Sequence, residues 1–190
     1  MRQSLTEDQN FNGITFSEDN FLEGEYENCT FINCVFADSD LSNVNFIDCT
    51  FDGCNLSMTK MNNTALKTVT FRSCKLLGLN FGVCNTFLLS LDFEDCMLNL
   101  ASFYRLKLKG TKFKNCKLQE VDFTETDLTT AILKDCDLNG ATFENTILEK
   151  ADLRTAYNFS IDPEINHIKK AKFSSSGLAG LLDKYQLFID

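Results

Sequence analysis

From Phe16 onward, every fifth residue is large and apolar: Phe16, Phe21, Tyr26, Phe31, Phe36, Leu41, Phe46, Phe51, Leu56, Met61, Leu66, Phe71, Leu76 and Phe81. The next step, to Leu88, is seven residues, so the frame slips by two. The period then resumes at Phe93, Leu98, Phe103 and Leu108 and runs on to Leu153. All 28 centres are Phe, Leu, Met or Tyr, which together make up only about a quarter of the chain, so chance does not explain them. A period of five is neither the 3.6 of a helix nor the alternation of an ordinary strand. Two residues before each centre sits a smaller residue, typically Cys, Ala, Thr or Val. Asn or Asp often lies between, as in Ala151-Asp152-Leu153 and Val121-Asp122-Phe123.

A second period is written in the cysteines. Cys34, Cys54 and Cys74 are 20 apart, as are Cys96, Cys116 and Cys136, and the slip of two joins the sets. Four pentapeptides therefore make one turn, and the 28 centres give about seven coils. The centres sort into columns the same way, with Phe31, Phe51, Phe71, Phe93 and Phe113 in one and Leu56, Leu76, Leu98, Leu118 and Leu138 in another. Stacking like on like fills a constant cross-section, the packing logic of a solenoid. The pattern predicts an all-β, four-sided parallel solenoid of seven turns at ~4.8 Å, a rod of roughly 34 Å.

The slip falls in 82–87 and is expected as a bulge or small outward corner at Gly82, with Leu88 restored to the column of Leu66 and Leu108. It reads either as a tolerated insertion or as a functional kink. Cys84 lies outside the cysteine columns and is expected to be the exposed thiol. The repeats end near Thr155, which divides the chain into a β-helix over 1–156 and a C-terminal segment over 157–190. In that segment Asp162 and Pro163 read as an N-cap and first helical position, and 171–174 regain the repeat pattern. Ser176 is placed to cap an amphipathic helix with Leu178, Leu181, Leu182 and Tyr185 on one stripe, and Leu187, Phe188 and Ile189 to form a short strand. Such a segment is either a cap over the last coil or a dimer interface.

Composition narrows the chemistry. The nine Cys and the absence of a signal-peptide pattern at the start point to a reducing, cytoplasmic setting. Cysteines spaced by five and stacked in parallel cannot converge on a metal, and the column spacing suits a disulfide poorly. His167 is the only His, and no catalytic triad, Cys-His pair or phosphate loop is present. No enzyme activity, cofactor or metal is therefore expected. A net charge of −9 argues against nucleic acid and anionic membranes as partners, and no apolar run reaches membrane-span length.

That charge is unevenly spread: −10 over 1–58, +7 over 59–117, −6 over 118–156 and zero in the tail. Around the rod, the walls of the Phe16 and Phe21 columns carry 10 acids and 4 bases, while the other two are nearly balanced. The acidic walls include Glu18, Asp38, Asp40, Glu120, Asp122, Glu125, Asp137 and Glu144. They read as a solubilising surface or as a phosphate-like array for a DNA-binding groove.

The A(D/N)LXX-like unit, in register over roughly 14–155, resembles the pentapeptide-repeat family, whose fold is a right-handed quadrilateral β-helix. More narrowly, the stretch 54–81, with Cys54-Asn55-Leu56-Ser57 and Cys74-Lys75-Leu76-Leu77-Gly78 in it, resembles the Qnr quinolone-resistance branch, dimeric rods that imitate duplex DNA and bind DNA gyrase. The resemblance implies a protein partner, DNA gyrase or topoisomerase IV, met by the acidic walls. It also implies a homodimer through Leu178, Leu181, Leu182, Tyr185, Leu187, Phe188 and Ile189. The chain departs from that branch in its basic waist (Arg105, Lys107, Lys109, Lys112, Lys114, Lys117) and in lacking long loops. The alternative is a rigid adaptor for an unrelated protein.

Overall fold

The computed structural model describes residues 4–16 and 24–188; Glu18, Phe21 and Ile189 lie outside them. The chain winds as a four-sided parallel β-solenoid. One wall is a four-stranded sheet of β1 (Ser4–Glu7), β3 (Gly24–Glu27), β5 (Asn45–Ile47) and β7 (Ala65–Lys67). The adjoining wall is a seven-stranded sheet of β2 (Asn10–Asn12), β4 (Thr30–Ile32), β6 (Thr50–Asp52), β8 (Val69–Arg72), β9 (Leu91–Glu94), β10 (Lys112–Lys114) and β11 (Ile132–Lys134). The walls of the Phe16 and Phe21 columns, hereafter first and second, are held by isolated parallel bridges such as Val35 to Asn55 and Ser102 to Asp122. The two sheets form the third and fourth walls.

Strands are this short because each wall is one pentapeptide and then turns. The residue two after a centre takes the left-handed conformation at corner after corner, as at Asn28, Asn33, Asp38, Asn43 and Asp48 (φ 51–63°). Asn and Asp tolerate it, whereas most other side chains pay ~1 kcal/mol or more. The backbone of one coil then bonds the next, for example Asp38 N–H to Ser57 O at 3.1 Å and Asn55 N–H to Cys34 O at 2.9 Å.

The inside is the set of columns. Phe31 stacks on Phe51 at 4.7 Å and 10°, Phe51 on Phe71 at 5.1 Å, and Phe71 on Phe93 at 5.4 Å. Phe81 and Phe103 repeat this at 4.8 Å on the neighbouring column, edge-on to the first. Among the described residues ten Phe are essentially fully buried, each contributing ~1.5–3 kcal/mol of transfer free energy. The six-thiol column is intact and buried, and its Sγ–H groups reach carbonyls, as Cys54 does to Phe31 O at 3.2 Å. The ladder also starts earlier than the sequence suggested: Phe11 stacks on Phe31 at 4.9 Å.

The slip is placed differently from expectation. Asn85 still pairs with Ala65, 20 residues back, whereas Leu91 pairs with Val69, 22 back. The two extra residues therefore lie in 86–90, beyond Gly82, which sits in a single 3-10 turn, Phe81–Val83. Leu88 is not restored to the column. It is 64% exposed at a left-handed corner, and Leu89 packs against the core instead. An insertion spent on a wider corner turns the corner residue outward, and the next residue closes the gap. The count of coils that rested on Leu88 is replaced by the sheet itself. Its seven rungs make six turns, and the bridges from Ile132 to Asp152 and on to Lys172 carry the row further. Cys84 is buried rather than exposed. It precedes the slip and stands one coil from Thr64, two residues before its wall's centre, and burial pushes its thiol up to about 12.

The tail departs from the sequence reading too. Asp162 Oδ1 accepts the Glu164 N–H at 2.8 Å, yet the chain makes only a turn there before His167 rejoins the ladder opposite Ile147. As expected, 171–174 regain the pattern, with Lys172 opposite Asp152. No amphipathic α-helix follows. Ser174, not Ser176, accepts the Gly177 N–H at 3.1 Å and starts a 3-10 segment, Ser175–Leu181, followed by a 3-10 turn at Asp183–Tyr185. Gly177 and Gly180 each weaken an α-helix by ~1 kcal/mol. Gly180 is also needed for close approach: a Cβ there would sit 2.2 Å from Phe159 O. Leu187 and Phe188 form no strand.

Candidate interaction surfaces

Residue n lies one rung from residue n+20 (n+22 across the slip), so the electrostatics of the outer surface are decided by pairs at that spacing. In the waist these pairs are opposite in sign. Arg105 grips Glu125 in a two-pronged contact at 2.7 and 3.1 Å. Lys112 faces Asp92 at 3.8 Å and Lys114 bonds Glu94, while Lys109 reaches diagonally to Asp127, 18 residues on, at 3.2 Å. The Arg105 guanidinium holds the Glu125 carboxyl below its ordinary value. Four of the six cations of the basic waist are thus paired, and among the described residues Lys107 and Lys117 are in no ion pair.

Toward the N-terminal end the pairing is sparser, although Asp40 stands one rung from Lys60 and Asp52 one rung from Arg72. Among the described residues none of Glu7, Asp8, Glu25, Glu27, Asp38, Asp40, Asp48 or Asp52 is in an ion pair. Glu7 and Glu27 are rung neighbours of like charge. Near the other end Glu120 and Glu144 are exposed. Asp122 accepts the Thr124 N–H at 2.9 Å and the Ser102 hydroxyl at 3.2 Å. Partial burial raises the Asp137 pKa, but hydrogen bonds from Asn158, Gln119 and the Asn139 N–H, with the Lys117 charge, outweigh it and hold it below the ordinary value. Of the acidic residues expected to face a partner, Asp38 and Asp40 lie toward the N-terminal end of the first two walls. Glu120, Asp122, Asp137 and Glu144 lie together toward the other. Glu125 is there but already paired, and Glu18 lies outside the described residues.

The proposed dimer residues divide. Leu178, Leu182, Tyr185, Leu187 and Phe188 are exposed, whereas Leu181 packs against the rod's own core. Tyr185 donates its hydroxyl to Glu164 at 2.7 Å, and Lys184 bridges Asp162 and Glu164 at 2.8 and 2.7 Å, tying the tail to the last coil.

Two features were not anticipated. Large apolar side chains stand exposed in mid-rod: Met58, Leu77, Met97 and Leu100 on and beside the first wall, and Phe87 and Leu88 at the slip. Among them Asn99 donates to Gln119 Oε1 at 2.8 Å, while its covered Oδ1 has no donor. The pentapeptide register, already legible in the sequence, would have located these residues on the outside had the outward positions been laid out at 20-residue spacing. Among the described residues no group of three or more His, Cys, Asp or Glu converges to hold a metal, and no helix is long and apolar enough to cross a membrane.

Comparison with known proteins adds the following. No curated protein matches the chain. Among solved structures, QnrB1, a plasmid-mediated fluoroquinolone resistance protein, is similar at 20% identity and a TM-score of 0.48, over 98% of this chain and 100% of that one. HetL, a pentapeptide repeat protein involved in heterocyst differentiation regulation from the cyanobacterium Nostoc sp. strain PCC 7120, is similar at 16% identity and a TM-score of 0.45, over 90% and 86%. A pentapeptide repeat protein from the Arabidopsis thaliana thylakoid lumen gives 16% and 0.37, over 94% and 90%. The family model for the pentapeptide repeat region matches residues 24–87 and 84–153, more than half of the chain. With its 20-residue coils and stacked Phe and Leu columns, the chain belongs to the pentapeptide-repeat family.

Proposed function

We propose that the chain is a non-enzymatic binding rod that presents unneutralised carboxylates as a mimic of DNA to the basic groove of a type II topoisomerase, DNA gyrase or topoisomerase IV. The observation that carries this reading is the group Glu120, Asp122, Asp137 and Glu144 on two adjoining walls, outside any ion pair among the described residues. The resemblance of 54–81 to the Qnr branch names the partner to test. The exposed apolar end at Leu178, Leu182, Leu187 and Phe188 supports a homodimer, which would bring two such groups to its centre. A role in quinolone or toxin tolerance would follow from occupying the DNA site.

The test is gyrase supercoiling and direct binding at low salt with the purified chain. Wild type is expected to inhibit and to bind with marked salt dependence. Glu120→Lys, Asp122→Lys and Glu144→Lys together should abolish both while leaving the fold intact, because all three are outward positions. Absence of binding by wild type at low salt would overturn the reading. The second reading, a rigid adaptor for an unrelated protein, is favoured by the interruption of the acidic walls at mid-rod by Lys60, Lys75 and Lys117.

A further inference from the structure

That interruption has a composition of its own. On the first wall the outward row runs Asn55, Lys75, Met97, Lys117 on successive rungs. Beside it lies Leu77, whose carbonyl accepts the Met58 N–H at 3.0 Å from the previous coil. The corner row next to that is Met58, Gly78, Leu100, all left-handed. Met58 lies across Gly78, where an added Cβ would meet its Sδ at 2.6 Å, so the row is apolar without a break. Met58 is 60% exposed and Leu100 56%. Lys60 opens the next wall. Among the described residues Lys60, Lys75 and Lys117 are in no ion pair, unlike Arg105, Lys109, Lys112 and Lys114. Scattered exposed apolar residues are ordinary, but four on three neighbouring rungs, rimmed by lysines outside any ion pair, form a patch of the kind that binds.

We propose that this patch is a docking site for an acidic amphipathic helix of a protein partner, lying along the rod axis. Charge complementarity selects the sign: among the described residues Lys60, Lys75 and Lys117 are the cations of the first two walls outside any ion pair, and Lys75, between Asn55 and Met97, has no carboxylate on either neighbouring rung of its row. Geometry selects the helix. Rungs repeat at ~4.8 Å and helical turns at ~5.4 Å, so three turns stay in step with three rungs to within ~2 Å. An extended segment, repeating every two residues at ~6.7 Å, falls out of step at once. One apolar stripe then meets Met58, Leu77 and Leu100 while carboxylates beside it reach Lys75 and Lys117. Asp38 and Glu120 close the corner row at its two ends and limit the helix to about three turns. The same two acids, with the net charge of −9, set the patch against an anionic membrane. The site adjoins the acidic group of the proposed topoisomerase contact, since Glu120 closes its corner row and Asp137 lies one rung from Lys117, but Met58, Leu77 and Leu100 belong to the patch alone, so the two readings can fail separately.

The probe is a fluorescein-labelled synthetic peptide with Leu at helical i, i+3, i+4 and i+7 spacing and Glu elsewhere, titrated at low salt by anisotropy, with circular dichroism following its helicity. Saturable binding with a gain of helix is expected. Leu77→Ser with Leu100→Ser, and separately Lys75→Glu with Lys117→Glu, should each weaken it about tenfold or more while the urea midpoint holds. A Gln-for-Glu peptide should lose binding. No binding of the acidic peptide, binding unchanged in both double variants, or binding of the rod to phosphatidylserine vesicles in place of the peptide would overturn the proposal.

Discussion

The first coils and the waist share one backbone yet carry opposite electrostatic designs. Around β1 and β3, Glu7 stands over Glu27, and among the described residues neither is in an ion pair. Around β9 and β10, Asp92 and Glu94 stand over Lys112 and Lys114. Nothing in the local conformation distinguishes the two regions. The difference is the residue found 20 positions later, so the field at any point on the rod is a property of coil-to-coil register, not of local sequence. Net charge by segment therefore misleads. Within 59–117, +7 by count, Arg105, Lys109, Lys112 and Lys114 are paired, while Lys60, Lys67, Arg72, Lys75, Lys107 and Lys117 are in no ion pair among the described residues.

The comparison presupposes a rigid ladder, and the largest expected effect comes from cutting it. Phe71→Ala removes a ring stacked on both sides at full burial and should cost ~3–5 kcal/mol, read as a urea midpoint shift at constant m. Phe87→Ala, at the exposed slip, should move stability by no more than ~0.5 kcal/mol. A large loss there would show the slip to be part of the core.

The next effect is on assembly. Leu182→Asp with Phe188→Asp should convert a dimer to a monomer by light scattering without loss of β signal. Leu181→Asp is the wrong probe, because that side chain packs on its own rod and its loss would unseat the cap. A wild type that is monomeric at tens of micromolar would end the dimer reading.

Smaller still is the charge comparison itself. Glu94→Lys places a cation over Lys114 and should lower the urea midpoint, whereas Glu27→Lys relieves Glu7 and should raise it. Both shifts should fade in molar salt. Equal signs would refute the account by register. The smallest effect is in acid. Asp137 has a lowered folded value, so its contribution is complete above the ordinary carboxylate range and is lost as pH falls through that lowered value. Asp137→Asn should lower Tm slightly at neutral pH and flatten part of its decline below about pH 4, so that variant and wild type converge in acid.

The coil, its columns and its thiols were legible because core packing repeats like on like, which a sequence displays directly. Phe11, five residues before Phe16 and 20 before Phe31, fits both periods and was legible; the run breaks only beyond it, at Thr6. The corner signal, Asn, Asp or Gly two residues after a centre, was present but not read. Leu88 and Leu89 could not be separated in advance, since both are apolar and only the width of the corner decides which turns inward. The tail misled because its leucines fit a helical stripe, while Gly177 and Gly180 and the bond from Ile161 N–H to Gly180 O at 2.9 Å favour a tighter turn. The acidic residues were found individually, but whether each is spent on a cation depends on its rung neighbour, as Glu125 shows against Glu120.

The covered lower end has a consequence for how such rods avoid becoming fibres. A stack of identical parallel coils is a template for its own continuation, and one molecule's last rung would accept another's first. Here the bond from Ile161 to Gly180, the Phe159 ring against Phe173 at 5.5 Å and the lysine clamp onto Asp162 and Glu164 occupy that landing. The plug is held by a backbone bond and ring packing as well as by charge, so head-to-tail growth should appear, if anywhere, in a chain that has lost its last fifteen or so residues.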